Sequence, residues 1–163
     1  MHIKEIMSQP IVTAPTGSTL DTVARLMWEF DCGIVPIVGD EGLLSGVITD
    51  RDICMAAYTK GKPLSAIPVT SAMAKQVFAC HTTDTIQTAE HLMRDNQIRR
   101  VPVLDKENRP VGIVAINDLA RLAAHARKSG VDREIVQTLA SICEPRGLAA
   151  SVEPNNIIAP SAA

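Results

Sequence analysis

Apolar residues in this chain follow two alternating rhythms. Leu20, Val23, Ala24 and Met27 recur at the spacing of one helical face, and Ser18 or Thr19 stands where a side-chain oxygen caps the helix. Two apolar runs come next, Ile34–Val38 and Leu44–Thr49, joined by Gly39, Asp40, Glu41 and Gly42, which read as two strands and a turn. A second helix is expected to start near Asp52. The same order returns downstream. Ile86, Ala89 and Met93 line a helix capped by Asp84 or Thr85, the runs 101–104 and 111–115 flank a polar turn, and another helix is expected near Asp118. A short apolar stretch precedes each set, Ile11 with Val12 and Val77 with Phe78, and is expected to be its first strand.

The recurrence is a repeat. Sliding the chain by 66 positions lays residues 1–58 on 67–124 without a gap, with 12 identities in those 58 positions. Met7 meets Met73, Gly46 meets Gly112 and Asp52 meets Asp118. Gly46 and Gly112 are expected where a strand bends or something approaches it closely. Two copies are too few for a solenoid, so a closed pair is expected: an α/β fold (α+β in some schemes) of two β-α-β-β-α units related by a pseudo-twofold. The units span 1–60 and 67–126 with a linker at 61–66 inside the Gly- and Pro-marked stretch 58–68. Ile135, Leu139 and Ile142 predict one more helix over 132–143, and 127–163 as a whole reads as that helix with a loose tail.

Composition narrows the function. Sixteen basic against 18 acidic residues give a net charge of −2 with no basic stripe, which argues against nucleic acid. The aromatic residues are Trp28, Phe30, Tyr58 and Phe78, too few for a base-stacking platform. Cys32, Cys54, Cys80 and Cys143 show no two-residue spacing, and His2, His81, His91 and His125 form no zinc-binding pattern, so no metal site and no catalytic group are expected. No signal segment and no membrane-length apolar run is read, and the expected location is the cytoplasm.

The candidate chemistry lies at strand ends. Thr49 closes a strand and Asp52 sits in the first turn of a helix. A carboxylate there accepts hydrogen bonds from vicinal ribose hydroxyls, while helix-start N–H groups face phosphate. The Thr49 hydroxyl is a further donor and Arg51 a positive charge. An Asp at that place is also an ordinary cap.

The runs Gly33 to Val38 with Gly46 to Ile53, and Ile98 to Asp105 with Gly112 to Leu119, resemble two copies of the motif of the CBS family, named for cystathionine β-synthase. The resemblance covers about residues 1–124 and is closest to small proteins made of one CBS pair, a Bateman module. It implies a non-catalytic regulatory module, with no required cofactor, that senses an adenosine-containing ligand: AMP, ADP, ATP (with Mg as its companion ion), S-adenosylmethionine or NAD. It implies a flat homodimer formed through the helices, and a regulated protein that the sequence does not name. The alternative is an interaction module that binds no nucleotide. Carried over residue by residue, one cleft combines Thr49, Arg51 and Asp52 with Met73, Phe78, Ile98 and Arg99. The other combines Asp118 with Met7, Val12, Cys32 and Gly33. Ala115 and Asn117 stand in the second where the first has Thr49 and Arg51, so the first is expected to be the better equipped.

Overall fold

The computed structural model describes residues 1–125 and 131–144. Each repeat forms a three-stranded sheet with two helices. The first holds β1 (Ala14–Pro15), α1 (Leu20–Glu29), β2 (Ile34–Val38), β3 (Leu44–Thr49) and α2 (Asp50–Lys60). The second holds β4 (Cys80–His81), α3 (Ile86–Asp95), β5 (Arg100–Leu104), β6 (Pro110–Ala115) and α4 (Ile116–His125). In both sheets the short first strand runs parallel to the second and the third antiparallel to it, with a register shift at the same place, Ile37/Val38 and Val103/Leu104. The repeat reaches backbone detail, since Asp31 and Gln97, which follow α1 and α3, both take a positive φ, 47° and 48°.

The expected first strands lie three residues further on. Ala14 and Cys80, nearly solvent-free, pair with β2 and β5, whereas Ile11, Val12, Val77 and Phe78 stay outside the sheets and half-buried. Burial decides here, because the small Ala14 and Cys80 are accommodated in the covered strand positions, while Ile11 and Val12 line the groove between the units. Caps differ too. Thr85 Oγ1 accepts from the Thr88 N–H at 3.4 Å, but the Thr19 hydroxyl donates to the Asp21 carboxylate and caps no backbone group.

The two units exchange their leading segments. Ile3 lies in the core of the second unit with Val101, Val103 and Leu119, and Ser8 pairs its backbone with Ile113 of β6. In the mirror relation, Ile67 and Val69 lie in the core of the first unit with Val35, Ile37 and Ile48, and Ala74 pairs with Val47 of β3. The stretch read as a linker therefore ends inside a core. The methionine just before each bridge lands on a strand glycine: a Cβ on Gly46 would stand 2.8 Å from Met73 Sδ, and one on Gly112 2.6 Å from Met7 Sδ.

A last helix, α5 (Val131–Cys143), breaks the symmetry by packing on α3 and α4. Ile135 and Ile142 are buried in the second core, Leu139 packs against it, and Gln97 Nε2 donates to the Ser141 and Glu144 carbonyls at 3.4 Å. The tail expected at 145–163 lies outside the described residues. Glu90 of α3 is buried near Glu134 of α5. Burial first, then that like charge, pushes the Glu90 carboxyl above its ordinary value, against the pull of Arg94 and His91.

Two outcomes follow. Gly46→Ala should destabilise by about 1–3 kcal/mol in urea unfolding. Gly112→Ala should cost less, because the Gly46 Cβ would also meet the Ala74 carbonyl oxygen at 2.8 Å, whereas at Gly112 only the flexible Met7 must give way. A larger loss at Gly112 would contradict this account. A carboxyl raised by folding stabilises the fold while protonated. The Glu90 contribution is therefore full below its ordinary value of 4.5 and is lost as pH rises through its raised value. Unfolding curves of wild type and Glu90→Gln should diverge over that rise, the variant holding its stability better, and parallel curves would refute the assignment.

Candidate functional site

A cleft of about 300 Å³ opens between the units. One wall is Val12 and the turn Phe30 to Ile34; the other is Ser8, Ile113, Ala115, Asn117 and Asp118, and Arg100 reaches in from the start of β5. The elements explain the placement. Pairing of residue 8 with β6 anchors one end of the leading segment, and the chain must then cross to β1 at residue 14, so residues 10–12 line the groove on the way.

Asp118 is buried, and its carboxylate organises this corner. Oδ2 accepts from the Ala115 N–H at 2.7 Å, and Oδ1 accepts from Ser8 Oγ at 3.1 Å and from the Arg121 guanidinium. Around Asp52 the pattern is similar and differently furnished. Oδ2 accepts from the Thr49 N–H at 2.9 Å and from Thr49 Oγ1 at 2.7 Å, and the Asp52 N–H returns a bond to Thr49 Oγ1 at 3.3 Å. Thr49 and Asp52 are therefore a reciprocal helix cap. The hydroxyl missing at Ala115 is restored from the opposite segment. Ser8 carries it, whereas its repeat partner Ala74 does not.

Of the second sequence-derived set, Val12, Cys32, Gly33 and Asp118 come together in the cleft, and Met7 lies beside them over Gly112 without lining it. The first set holds the repeat partners of these residues, with Thr49 and Arg51 in addition. Within it the structure joins Thr49 to Asp52 and seats Met73 against β3 at Gly46. Arg51 and Arg99 are exposed, and Phe78 and Ile98 half-buried. The Arg99 carbonyl accepts from the Ile116 N–H at 2.9 Å, which ties this turn to the start of α4. Asp52 also borders an open hollow of about 280 Å³ with Met55, Thr59, Lys60 and Ser71.

Sequence reasoning missed Arg100 and Ser8. A Cβ on Gly33 would lie 3.0 Å from Arg100 Nη2 and 3.1 Å from Asp50 Oδ2, so the missing side chain makes room for a guanidinium and a carboxylate. The only signal was the pair Arg99–Arg100, in which strand alternation had to decide the arginine that faces the groove. Burial pushes the Cys32 thiol up, opposed by the Ile34 backbone hydrogen bond and by Arg100. Cys80, buried under the second sheet, is pushed up to about 12 by burial. Among the described residues no group of three His, Cys, Asp or Glu could hold a metal ion, and no helix is long and apolar enough to cross a membrane.

Known proteins share this architecture. The sequence model of the family described as CBS domain matches residues 3–58 and 65–125. Hypoxic response protein 1 of Mycobacterium tuberculosis is 34% identical over 147 residues, 90% of this chain and 96% of that protein. The CBS domain-containing protein YhcV of Bacillus subtilis is 34% identical over 118 residues, 72% of this chain and 82% of that one. Among solved structures, the CBS domain pair of protein MJ0100, in complex with 5′-methylthioadenosine and S-adenosyl-L-methionine, superposes with a TM-score of 0.69 at 29% identity, covering 76% of this chain and 96% of that one.

Proposed function

Because the chain belongs to the CBS domain family and carries two of its domains in tandem, we propose that it is a non-catalytic regulatory module that holds an adenosine-containing molecule in the clefts between its units. The observation that carries this reading is the cleft whose two walls come from different repeats and whose floor holds the Asp118 carboxylate at the start of α4. Val12, Cys32 and Ile34 offer an apolar slot for adenine. Asp118 and Ser8 face the ribose hydroxyls, and the first N–H groups of α4 with Arg100 face the tail of the ligand. A ligand that touches both walls binds best when they stand at one separation, so occupancy biases the placement of the units. The Asp52 corner is the second site. The MJ0100 pair with its two adenosine compounds supports the same ligand class here.

The module is proposed to act as a homodimer. Among the apolar residues of α2 and α4, Ile53, Ala56 and Leu119 are already buried within the chain, Ala57 is half-buried, and Leu122 and Ala123 are partly buried against the second core, on which α5 also packs. The largest exposed apolar side chains on the helices among the described residues are on α1 and α2, where Trp28, Met55 and Tyr58 are 88%, 48% and 83% exposed, with Val136 of α5 exposed as well. A second copy is the proposed cover.

Calorimetry with AMP, ATP and S-adenosylmethionine should show binding. Gly33→Leu should close the Asp118 cleft without lowering the melting temperature much, since the atoms it meets are side-chain ends, of Arg100 and Asp50, that can move aside. Asp52→Ala should weaken the other cleft by about 10- to 150-fold, the loss of one charge-assisted hydrogen bond. Absence of heat with every adenosine compound would overturn the reading in favour of an interaction module. Light scattering should return a dimer at micromolar concentration, and Trp28→Glu with Tyr58→Glu should return a monomer. A monomeric wild type would overturn the assembly.

A further inference from the structure

The two helix-start carboxylates are held alike on one oxygen and differently on the other. Asp52 Oδ2 and Asp118 Oδ2 each accept from the backbone N–H three residues back, of Thr49 and Ala115. Asp118 Oδ1 then accepts from Ser8 Oγ and from the Arg121 guanidinium. The repeat partners of those two donors are Ala74 and Met55, whose side chains have nothing to donate. Among the described residues no donor reaches Asp52 Oδ1. Where Arg121 stands over Asp118, Met55 borders the hollow of about 280 Å³ beside Asp52. Asp52, Met55, Ala56, Thr59 and Lys60 line it from one face of α2, and Ser71 lines it from the exchanged segment. The Thr59 and Ser71 hydroxyls donate to the Met55 and Pro68 carbonyls, both at 2.8 Å, which leaves their oxygens as acceptors. Of the residues that line the Asp118 cleft, only Asp118 has its repeat partner in this hollow, so the hollow is not the groove between the units.

We infer that this hollow is a binding site for a free guanidinium compound of the arginine class, whose head takes the place at Asp52 that Arg121 takes at Asp118. A guanidinium has five donors and no acceptor, and its weakly hydrated plane suits the apolar surface of Met55 and Ala56. Lys60 sets the other end of the ligand. It follows Asp52 by eight residues, about 12 Å along the helix axis, a span that an extended arginine bridges with a hydrogen bond at each end. There the Lys60 ammonium pairs with the ligand carboxylate, and the Thr59 hydroxyl oxygen accepts from the ligand ammonium. An anion without a cationic head meets one lysine and an unpaired carboxylate, and is disfavoured.

The experiment is an NMR titration of the intact, isotopically labelled protein with L-arginine, agmatine and citrulline at matched ionic strength. Citrulline has the same length and an uncharged head, and agmatine lacks the carboxylate. Arginine should shift the amides of α2 and of residues 69–71 to saturation, and citrulline should leave them in place. Agmatine should bind about tenfold more weakly than arginine, and Lys60→Ala should remove that difference. Met55→Arg, which installs the donor found at the repeat partner, should abolish arginine binding and raise the melting temperature. Asp52→Asn should weaken arginine at least tenfold. Every lining residue belongs to one chain, so the variant with Trp28→Glu and Tyr58→Glu should bind arginine as wild type does. Equal shifts with arginine and citrulline, or arginine binding retained in Met55→Arg, would overturn the site. Equal affinity for agmatine and arginine would overturn the part given to Lys60. The adenosine reading rests on other residues and other ligands, and stands or falls apart from these outcomes.

Discussion

The crossing of the leading segments is the constraint on which the rest depends. Neither sheet closes its core alone: the first needs Ile67 and Val69, the second Ile3. Each segment is fastened twice, by a reciprocal backbone bridge to the third strand and by a methionine laid on a strand glycine. With the segments in place, the chain between each bridge and the next strand has to pass across the seam. The groove wall at residues 10–12 results from that route. The cleft is therefore a product of folding order in space, and losing the segment would remove a core and a cleft wall together.

Much of this was written in the repeat. The paired glycines, methionines and aspartates pointed to one architecture used twice, and the spacing of Ile135, Leu139 and Ile142 revealed α5 to within a residue. The repeat could not show which unit a segment belongs to, because a sequence offset is the same whether Ile3 packs at home or abroad. It also misplaced the first strands. Apolar character marked Ile11 and Val77, but the sheets took the small Ala14 and Cys80 three residues on, and Ile11 went to the groove.

The arrangement of the candidate site was legible in kind and less so in detail. The carboxylate at each helix start was readable because position and residue type suffice to define it. The judgement that the second cleft lacks a hydroxyl and a charge compared only residues aligned with each other. Ser8, bridged to β6, and Arg100, at the start of β5, supply a hydroxyl and a charge there from other segments, at positions whose repeat partners are Ala74 and Ile34. A duplicated fold can move a functional group from one wall of a site to the other, and alignment of the copies then records a loss on one side without the gain opposite.

Helix α5 has a topological consequence. A body built from two similar halves offers similar helical surfaces twice, and such a body can add copies without end, each new one leaving another surface to occupy. In this chain α5 packs on the helices of one such surface, α3 and α4, while Trp28, Met55 and Tyr58 stay exposed on the other, on α1 and α2. In the dimer proposed above, association through that side would close after one encounter. In the proposed dimer the last helix would work as a chain terminator for assembly, covering one of the two helical surfaces through which copies could otherwise add on.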